Sequence, residues 1–470
     1  MNAVSIDELV KRISKLAKQN QELEELVKKL QKQNEKLTLA NEKQKALLEK
    51  LSPGAFAGDE SLAEQRERSL KFDMATVLFA NIHGFSELIK GSDSSSIMDE
   101  LDEILYEFDQ IASRYKIEKI KTIGDTYMLA GGIPVKNITN PVEVVKAAIE
   151  MRSFLIRFQD EKRGKGNHIW DMKVGIHTGP VTAMVTGKKK ISYDIKGDTV
   201  NTASRVETVS ERGKLLISVM TYELVKEFFE CEYFGKLPVK YKGDLQMYQV
   251  VGLKPEFSVN GDGITPNDAF RIKFGLIQFT DIQEEILDKL EKELPGFLHY
   301  HNVKHTVDVV TEVELIGWAE GCNDEEILIL KTAALFHDAG HTVAYDNHEY
   351  HGTVLAREML PKYNYTPEQI DRICEAIMAT KLPPKPKNLI ENIMCDSDLD
   401  YLGRSDFIPV SNTLYEELKA QNKIGSLNDW NKLQVKFISG HQYFTQTARN
   451  LREVNKQQQI ERIQSIITPD

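Results

Sequence analysis

Cysteine is scarce in this chain. Cys231, Cys322, Cys374 and Cys395 are the 4 present among 470 residues, and they form no CxxC spacing. That excludes a disulfide framework and suits a reducing compartment. No signal peptide and no apolar run long enough to span a bilayer is found, so a cytoplasmic protein without a membrane span is expected. Positive charge is also in deficit: 60 Lys and Arg against 71 Asp and Glu give a formal net charge of −11 and a pI near 5.6. A general nucleic-acid role is thereby excluded, because phosphate binding needs a basic face. The short run Lys188-Lys189-Lys190 reads as a solvated loop. What remains is a globular composition, 41% hydrophobic and 28% charged, on a chain long enough for two or three cores.

The N-terminal segment carries a seven-residue period. Leu9, Leu16, Leu23, Leu30 and Leu37 recur in step, with Leu51 after a polar step at Gln44; Ile6, Ile13, Asn20, Val27, Asn34, Asn41 and Leu48 lie three residues before each. With the leucines at d and the second series at a, the pattern predicts a parallel two-stranded coiled coil over 1–52, its register held by the three Asn at a positions. SPGAFAGDES opens a linker over 53–70, and the Gly-, Pro- and Asn-rich stretch KPEFSVNGDGITPND marks a second over 253–272. Beyond it the periodicity is helical, as from Asp324 to Phe336 and from Thr366 to Ala379, with KLPPKPKN as an interrupting loop.

His337-Asp338 in LFHDAGH follows an earlier pair, His301 and His305, in YHNVKHTVDV. Imidazoles at i and i+4 share a helix face, and an adjacent His-Asp pair adds one nitrogen and one carboxylate oxygen, a set that holds a divalent cation. From about Phe274 to Ile467 the chain resembles the HD-domain phosphohydrolases, specifically the cyclic-nucleotide phosphodiesterase branch. The resemblance implies an all-α domain over 273–470 in which His305, His337, Asp338 and a later Asp of IMCDSDLDYLG hold a first metal, with Asp338 bridging to a second. Asp398 is favoured over Asp396 for that last ligand. His301 is then the general acid that protonates the leaving ribose oxygen, His341 orients His301 or a water, and Asp308 supports a ligand imidazole. His348, Glu349 and His351 stand where related enzymes place further metal or phosphate contacts, although a polar helix start accounts for them as well. The implied cofactors are divalent ions, Mn, Mg, Zn or Fe, which acidify a water and neutralise phosphate charge.

Upstream, VLFANIHGFS, KIKTIGDTYMLAGG, VGIHTGPV and ISYDIKGDTVNTASR occur in that order. Thr76 to Ala80 reads as a buried strand running into a tight Gly84 turn, Gly124-Asp125 as a hairpin tip, and Val174 to His177 as a strand with a turn at Gly179-Pro180. These blocks resemble the catalytic domain of class III nucleotidyl cyclases. The resemblance implies an α+β ferredoxin-like domain over 71–252, with two carboxylates holding two Mg or Mn ions against a triphosphate. Asp125 matches the second carboxylate, whereas the first position is Asn81, which brings no negative charge to a hard-cation site. Lys121 and Asp194 match the pair that selects adenine. Asn201 and Arg205 match the residues that orient the ribose and stabilise charge on the α-phosphate. A phosphate-binding lysine comes from VKYKGDLQMY, where Lys242 is the candidate and Lys240 remains open.

Such cyclase sites form between two catalytic domains, so a homodimer is expected, with the coiled coil raising the effective concentration of the second domain. The expected ligands are ATP and cyclic AMP. The functional expectation is hydrolysis of cyclic nucleotide by the HD domain beside a cyclase-like domain that Asn81 leaves weakly active or regulatory. A fully bifunctional enzyme, a nucleotide sensor without catalysis, and an HD hydrolase of a deoxynucleoside triphosphate or guanosine alarmone are the alternatives.

Overall fold

The structure, a computed structural model, describes residues 69–83, 94–162, 170–186, 192–239 and 243–468. The coiled coil expected at 1–52, Gly84, Lys240 and Lys242 lie outside the described residues. Lys71–Asp470 forms one compact unit.

Its first half is an eight-stranded mixed sheet with helices packed on it. The strands are β1 (Ser69–His83), β2 (Glu118–Ile123), β3 (Thr126–Gly131), β4 (Asp171–Thr186), β5 (Ser192–Lys196), β6 (Leu215–Ser218), β7 (Phe229–Val239) and β8 (Gly243–Leu253), in the order β2-β3-β1-β4-β6-β8-β7 with β5 paired to β4. The helices are α1 (Ser94–Arg114), α2 (Asn140–Lys162), α3 (Asp198–Val209) and α4 (Val219–Val225). Strand β1 shows why a continuous apolar run belongs here. Alternate side chains point to opposite faces, so Leu78, Ala80 and Ile82 enter a core with Ile104 and Phe108 of α1 and Val145 and Ala148 of α2, while Val77 and Phe79 enter a second core with Met128, Ala183 and Ala203.

One sequence expectation is corrected. Gly179-Pro180 does not turn the chain: β4 runs through it, pairing β6 over Val174–Ile176 and β5 over Thr182–Thr186. Proline lacks a backbone donor, and here it sits where the strand exchanges one partner for the other. The Pro180 carbonyl accepts from Thr199 Oγ1 at 2.7 Å, and a Cβ on Gly179 would lie 2.7 Å from that same oxygen.

The second half is helical: α5 (Asp268–Glu293), α6 (Val303–Ala319), α7 (Asp324–Phe336), α8 (His348–Met359), α9 (Pro367–Ala379), α10 (Leu389–Asp398), α11 (Phe407–Ala420), α12 (Leu427–Gly440) and α13 (Gln446–Ile466). Capping boxes open α7 at Asn323 and Glu326 and α9 at Thr366 and Gln369, so two starts legible in the sequence are fixed by reciprocal hydrogen bonds.

The stretch 253–272, read as a linker, carries Phe257 and Phe270 into the sheet-side core. Phe228, Phe257, Phe270 and Phe274 form one aromatic cluster, with Phe228 and Phe270 centroids 5.2 Å apart. Helix α5 continues from there into the helical core with Phe279, Ile282, Ile286 and Leu290. Gly275 allows this approach, since a Cβ would come 2.8 Å from a Leu328 methyl of α7. Because Ile282 is fully buried, Ile282→Ala should cost about 2–5 kcal/mol. Urea unfolding followed by helical circular dichroism would measure this as a lowered midpoint.

Candidate active site and metal centre

Helix α6 supplies His305, the end of α7 supplies His337 and Asp338, and the last residue of α10 supplies Asp398. His305 Nε2 lies 3.2 Å from Asp398 Oδ1 and 3.4 Å from Asp338 Oδ2. His337 Nε2 lies 3.2 Å from Asp338 Oδ2 and 3.4 Å from Asp398 Oδ1. The local fold aims these groups: the Asn302 side chain caps α6 by accepting from the His305 amide, and His337 Nδ1 is held at 2.8 Å by the Ala334 carbonyl. Donation from Nδ1 leaves the Nε2 lone pair facing the carboxylates.

The second oxygen of Asp338 faces other imidazoles. Its Oδ1 is 3.5 Å from His348 Nε2 and 4.0 Å from His341 Nε2. His301, Asp338 and His341 place donor atoms within 4.8 Å of one another, as do His305, His337 and Asp398. Asp338 therefore stands between two sets of ligand-type atoms. The donors fit divalent cations on physical grounds: Asp338 Oδ2 and both ring nitrogens of His341 are buried without a hydrogen-bond partner among the described residues. Leaving such a group unpaired costs about 1–3 kcal/mol. Burial lowers the His341 pKa to about 3, so the ring is uncharged at neutral pH. Burial opposes charge on His337 as well, but Asp338 outweighs it and holds this imidazole well above its ordinary value. Ligation of a cation displaces such a proton.

His301 is engaged differently. Its Nδ1 lies 2.5 Å from Glu417 Oε1, and Glu417 Oε2 accepts from the Tyr300 and His301 amides at 2.9 and 3.1 Å. Burial disfavours the charged ring, yet Asp338 and Glu417 together raise its pKa. Glu417 went unrecognised in the sequence because it lies 116 residues from His301 on α11, inside no motif.

Both aspartates of IMCDSDLDYLG have clear surroundings. Asp396 is fully buried and accepts from the Phe444 and Thr445 amides and from Thr445 Oγ1, at 2.9, 2.7 and 2.7 Å, which anchors the start of α13. Asp398 is the one at the histidines. Asp308, expected behind a ligand imidazole, instead pairs with Lys304 at 2.6 Å and Arg404 at 3.1 Å. It lies one turn beyond Lys304 on the open side of α6, where cations reach it. Glu349 is buried, 3.7 Å from His348, while His351 packs against Tyr350. Beside the histidines opens a cavity of about 560 Å³, bounded by His301, Asp338 and Asp398 on one side and by Leu414, Leu433 and Phe437 on the other.

On the sheet, β2 and β3 turn at Gly124-Asp125, with Gly124 in the left-handed region at φ 62°. Asn81 pairs in register with Thr126, and its Nδ2 donates to Asp125 Oδ1 and to Thr126 Oγ1, both at 3.0 Å. The amide thus gives Asp125 a neutral donor. Lys121 Nζ meets Asp194 Oδ1 at 2.8 Å, joining β2 to β5. Asn201 and Arg205 sit on the exposed face of α3, and neither has a side-chain partner among the described residues.

Comparison with known proteins agrees with this division. Residues 68–252 match the adenylate and guanylate cyclase catalytic domain, and residues 302–402 match the HD domain. An adenylate cyclase of Mycobacterium tuberculosis is 31% identical over 214 residues, 46% of this chain and 47% of that protein. The receptor-type guanylate cyclase gcy-8 of Caenorhabditis elegans is 36% identical over 227 residues, 47% of this chain and 19% of that protein. The adenylyl cyclase CyaB of P. aeruginosa is 32% identical over 39% of this chain and 95% of its own, with a TM-score of 0.37. The chain spans less than half the length of the two curated relatives. It carries a class III cyclase catalytic domain over 68–252 and an HD domain over 302–402, and no helix among the described residues is long and apolar enough to cross a membrane.

The two aspartates should separate on mutation. Asp398→Ala should lose bound metal by elemental analysis of the purified protein. Asp396→Ala should keep the native metal ratio but melt earlier, by about 1–3 kcal/mol for the amides left unpaired.

Proposed function

For a chain that joins a cyclase catalytic domain to an HD domain, we propose hydrolysis of a cyclic nucleotide, cyclic AMP foremost, to the 5′-monophosphate at the HD site, beside a cyclase domain that is weakly active or regulatory. The observation that carries this reading is Asp338, with one oxygen toward His305 and His337 and the other toward His341 and His348. These groups and Asp398 would hold divalent cations, which when bound would supply positive charge to the phosphate and acidify a water. The remaining roles fall to the chain itself. Glu417 holds His301 Nδ1, which orients the ring and favours its protonated form, so that the other nitrogen donates a proton to the leaving 3′ oxygen. An imidazolium has no lone pair to offer a cation, which separates His301 from His341. The apolar wall of Leu414, Leu433 and Phe437 receives the base and excludes water.

On the cyclase side, Lys121 and Asp194 present a donor and an acceptor suited to adenine, and Asn201 and Arg205 await a triphosphate supplied across a second copy of the chain. The pairing of two copies, through the cyclase domains and a coiled coil over 1–52, belongs to this proposal, as does a cytoplasmic location. The Asn81 amide offsets Asp125 by a hydrogen bond where a second carboxylate would instead demand a cation.

Product chromatography with ATP and separately with cyclic AMP, in Mg²⁺ or Mn²⁺, tests the proposal. Asp338→Ala should lower cyclic AMP hydrolysis by at least about a hundredfold, since removing it disables both ligand sets; unchanged hydrolysis would refute the assignment. Glu417→Gln should lower kcat by about ten- to a hundredfold with metal content unchanged. In an Asp338→Ala background, which spares any product, Asn81→Asp should gain Mg²⁺-dependent cyclic AMP synthesis. It should also acquire a melting temperature that rises with Mg²⁺, because two facing carboxylates repel until a cation joins them. A native protein already turning over ATP briskly in Mg²⁺ would favour the fully bifunctional enzyme.

A further inference from the structure

The nucleotide-side hairpin and the HD ligands are joined by an unbroken set of packed elements. From Asp125, β3 runs to Gly131, where a Cβ would lie 2.6 Å from Val144 Cγ2; at Gly132 a Cβ would lie 2.9 Å from Asn140 Nδ2 and 3.0 Å from the Met74 carbonyl. Strand and helix α2 thus approach closely at this point. Thr76 of β1, the strand that carries Asn81, donates to Asn140 Oδ1 at 2.6 Å. The loop that follows β3 ends on α5: the Ile138 amide donates to Asp281 Oδ1 at 2.8 Å and Thr139 Oγ1 to Asp281 Oδ2 at 3.2 Å. One turn along the same face, Glu285 accepts from the Tyr363 hydroxyl, and Lys116 Nζ, at the end of α1, donates to the neighbouring Lys362 carbonyl at 2.6 Å. Helix α5 in turn packs on α7, which ends at Phe336 immediately before His337, and on the 3₁₀ turn Ala339–Thr342, which contains His341. At Gly340 of that turn a Cβ would meet the His348 carbonyl at 1.9 Å, so the turn cannot shift without displacing His348.

We infer that α5 is a coupling strut latched by Asp281, through which nucleotide binding at the Asn81–Asp125 hairpin resets the His337–His341 ligand segment and changes the rate of hydrolysis there. Densely packed elements move as units between alternative arrangements rather than deforming continuously. The Asp281 carboxylate is half-buried and holds two donors from the cyclase side, so displacement of β3 and its loop is delivered to α5 directly. Asp281 touches neither site and is a positioning residue. This inference rests on the functional reading above and gives the cyclase domain its regulatory role.

The test has two readouts, one of which needs no hydrolysis. A non-hydrolysable ATP analogue with Mn²⁺ is added to the full chain; binding is followed by calorimetry, hydrogen exchange is read at Phe336–Thr342, and cyclic AMP hydrolysis is assayed in parallel. The native protein should show altered exchange in that segment and a change in kcat/KM of about fivefold or more, the lower range of ordinary allosteric coupling. Asp281→Ala should bind the analogue and retain basal hydrolysis within about twofold, as expected for a residue outside both sites, while losing both responses. Lys116→Met, an exposed position, should weaken the responses in the same direction and serves if Asp281→Ala does not fold. Analogue binding without altered exchange in the native protein overturns the inference, and so does failure of the analogue to bind or an undiminished response in Asp281→Ala. Absence of basal hydrolysis with altered exchange intact would instead count against the phosphodiesterase reading and leave the coupling standing.

Discussion

The helical half is organised around a buried carboxylate whose two oxygens face different imidazoles. Asp338 is 5% exposed, and its charge is tolerable there only because His337, His301 and His305 surround it. An isolated ionised carboxylate at such depth would neutralise itself by taking up a proton. The helix ends are arranged to prevent that: α6 begins two residues before His305, α7 ends one residue before His337, and α10 ends on Asp398. Ligands at helix termini combine a rigid origin with freedom in the next few bonds, so three helices from distant parts of the chain can bring their groups within hydrogen-bond distance. Glu417 extends the arrangement outward by fixing His301 from α11.

The sheet half handles a comparable problem with the opposite solution. At the β2–β3 hairpin Asp125 meets Asn81 of β1, and a hydrogen bond of 3.0 Å from the amide joins the two. The pair is thus stable without added charge. Two neighbouring regions of one compact unit therefore treat acidic side chains in contrary ways, one concentrating them among imidazoles and the other diluting them with an amide. That contrast is the chemical basis of the proposal that places catalysis at the helical site and a weakened or regulatory part on the sheet.

The junction between the halves is structural rather than a tether. Phe270 and Phe274 belong with the sheet-side aromatic cluster, and Ile282 and Leu290 belong with the helical core, all on one helix. A Gly-, Pro- and Asn-rich stretch precedes that helix, and its composition matches the short 3₁₀ turns at Pro255–Phe257 and Val259–Gly261. It carries no information on whether the turns are then buried by aromatic residues from elsewhere in the chain.

Much of the site was legible because its chemistry is local. The His-Asp doublet, the helix starts near Asp324 and Thr366 and the glycine hairpin at Asp125 each depend on neighbours within a few residues, and short-range geometry determines them from the sequence alone; His301 and His305 do not share a helix face, because α6 begins at Val303 and His301 precedes its Asn302 cap. The choice between Asp396 and Asp398 depended on what lies across the fold, since one meets the amides of Phe444 and Thr445 and the other meets His305 and His337. Gly179-Pro180 has turn composition, yet partner strands on both sides keep it extended. Glu417, Asp281 and the Arg404 partner of Asp308 share the same character: each is defined by a contact 96 to 143 residues away, and a contact between distant segments exists only once the chain has closed on itself.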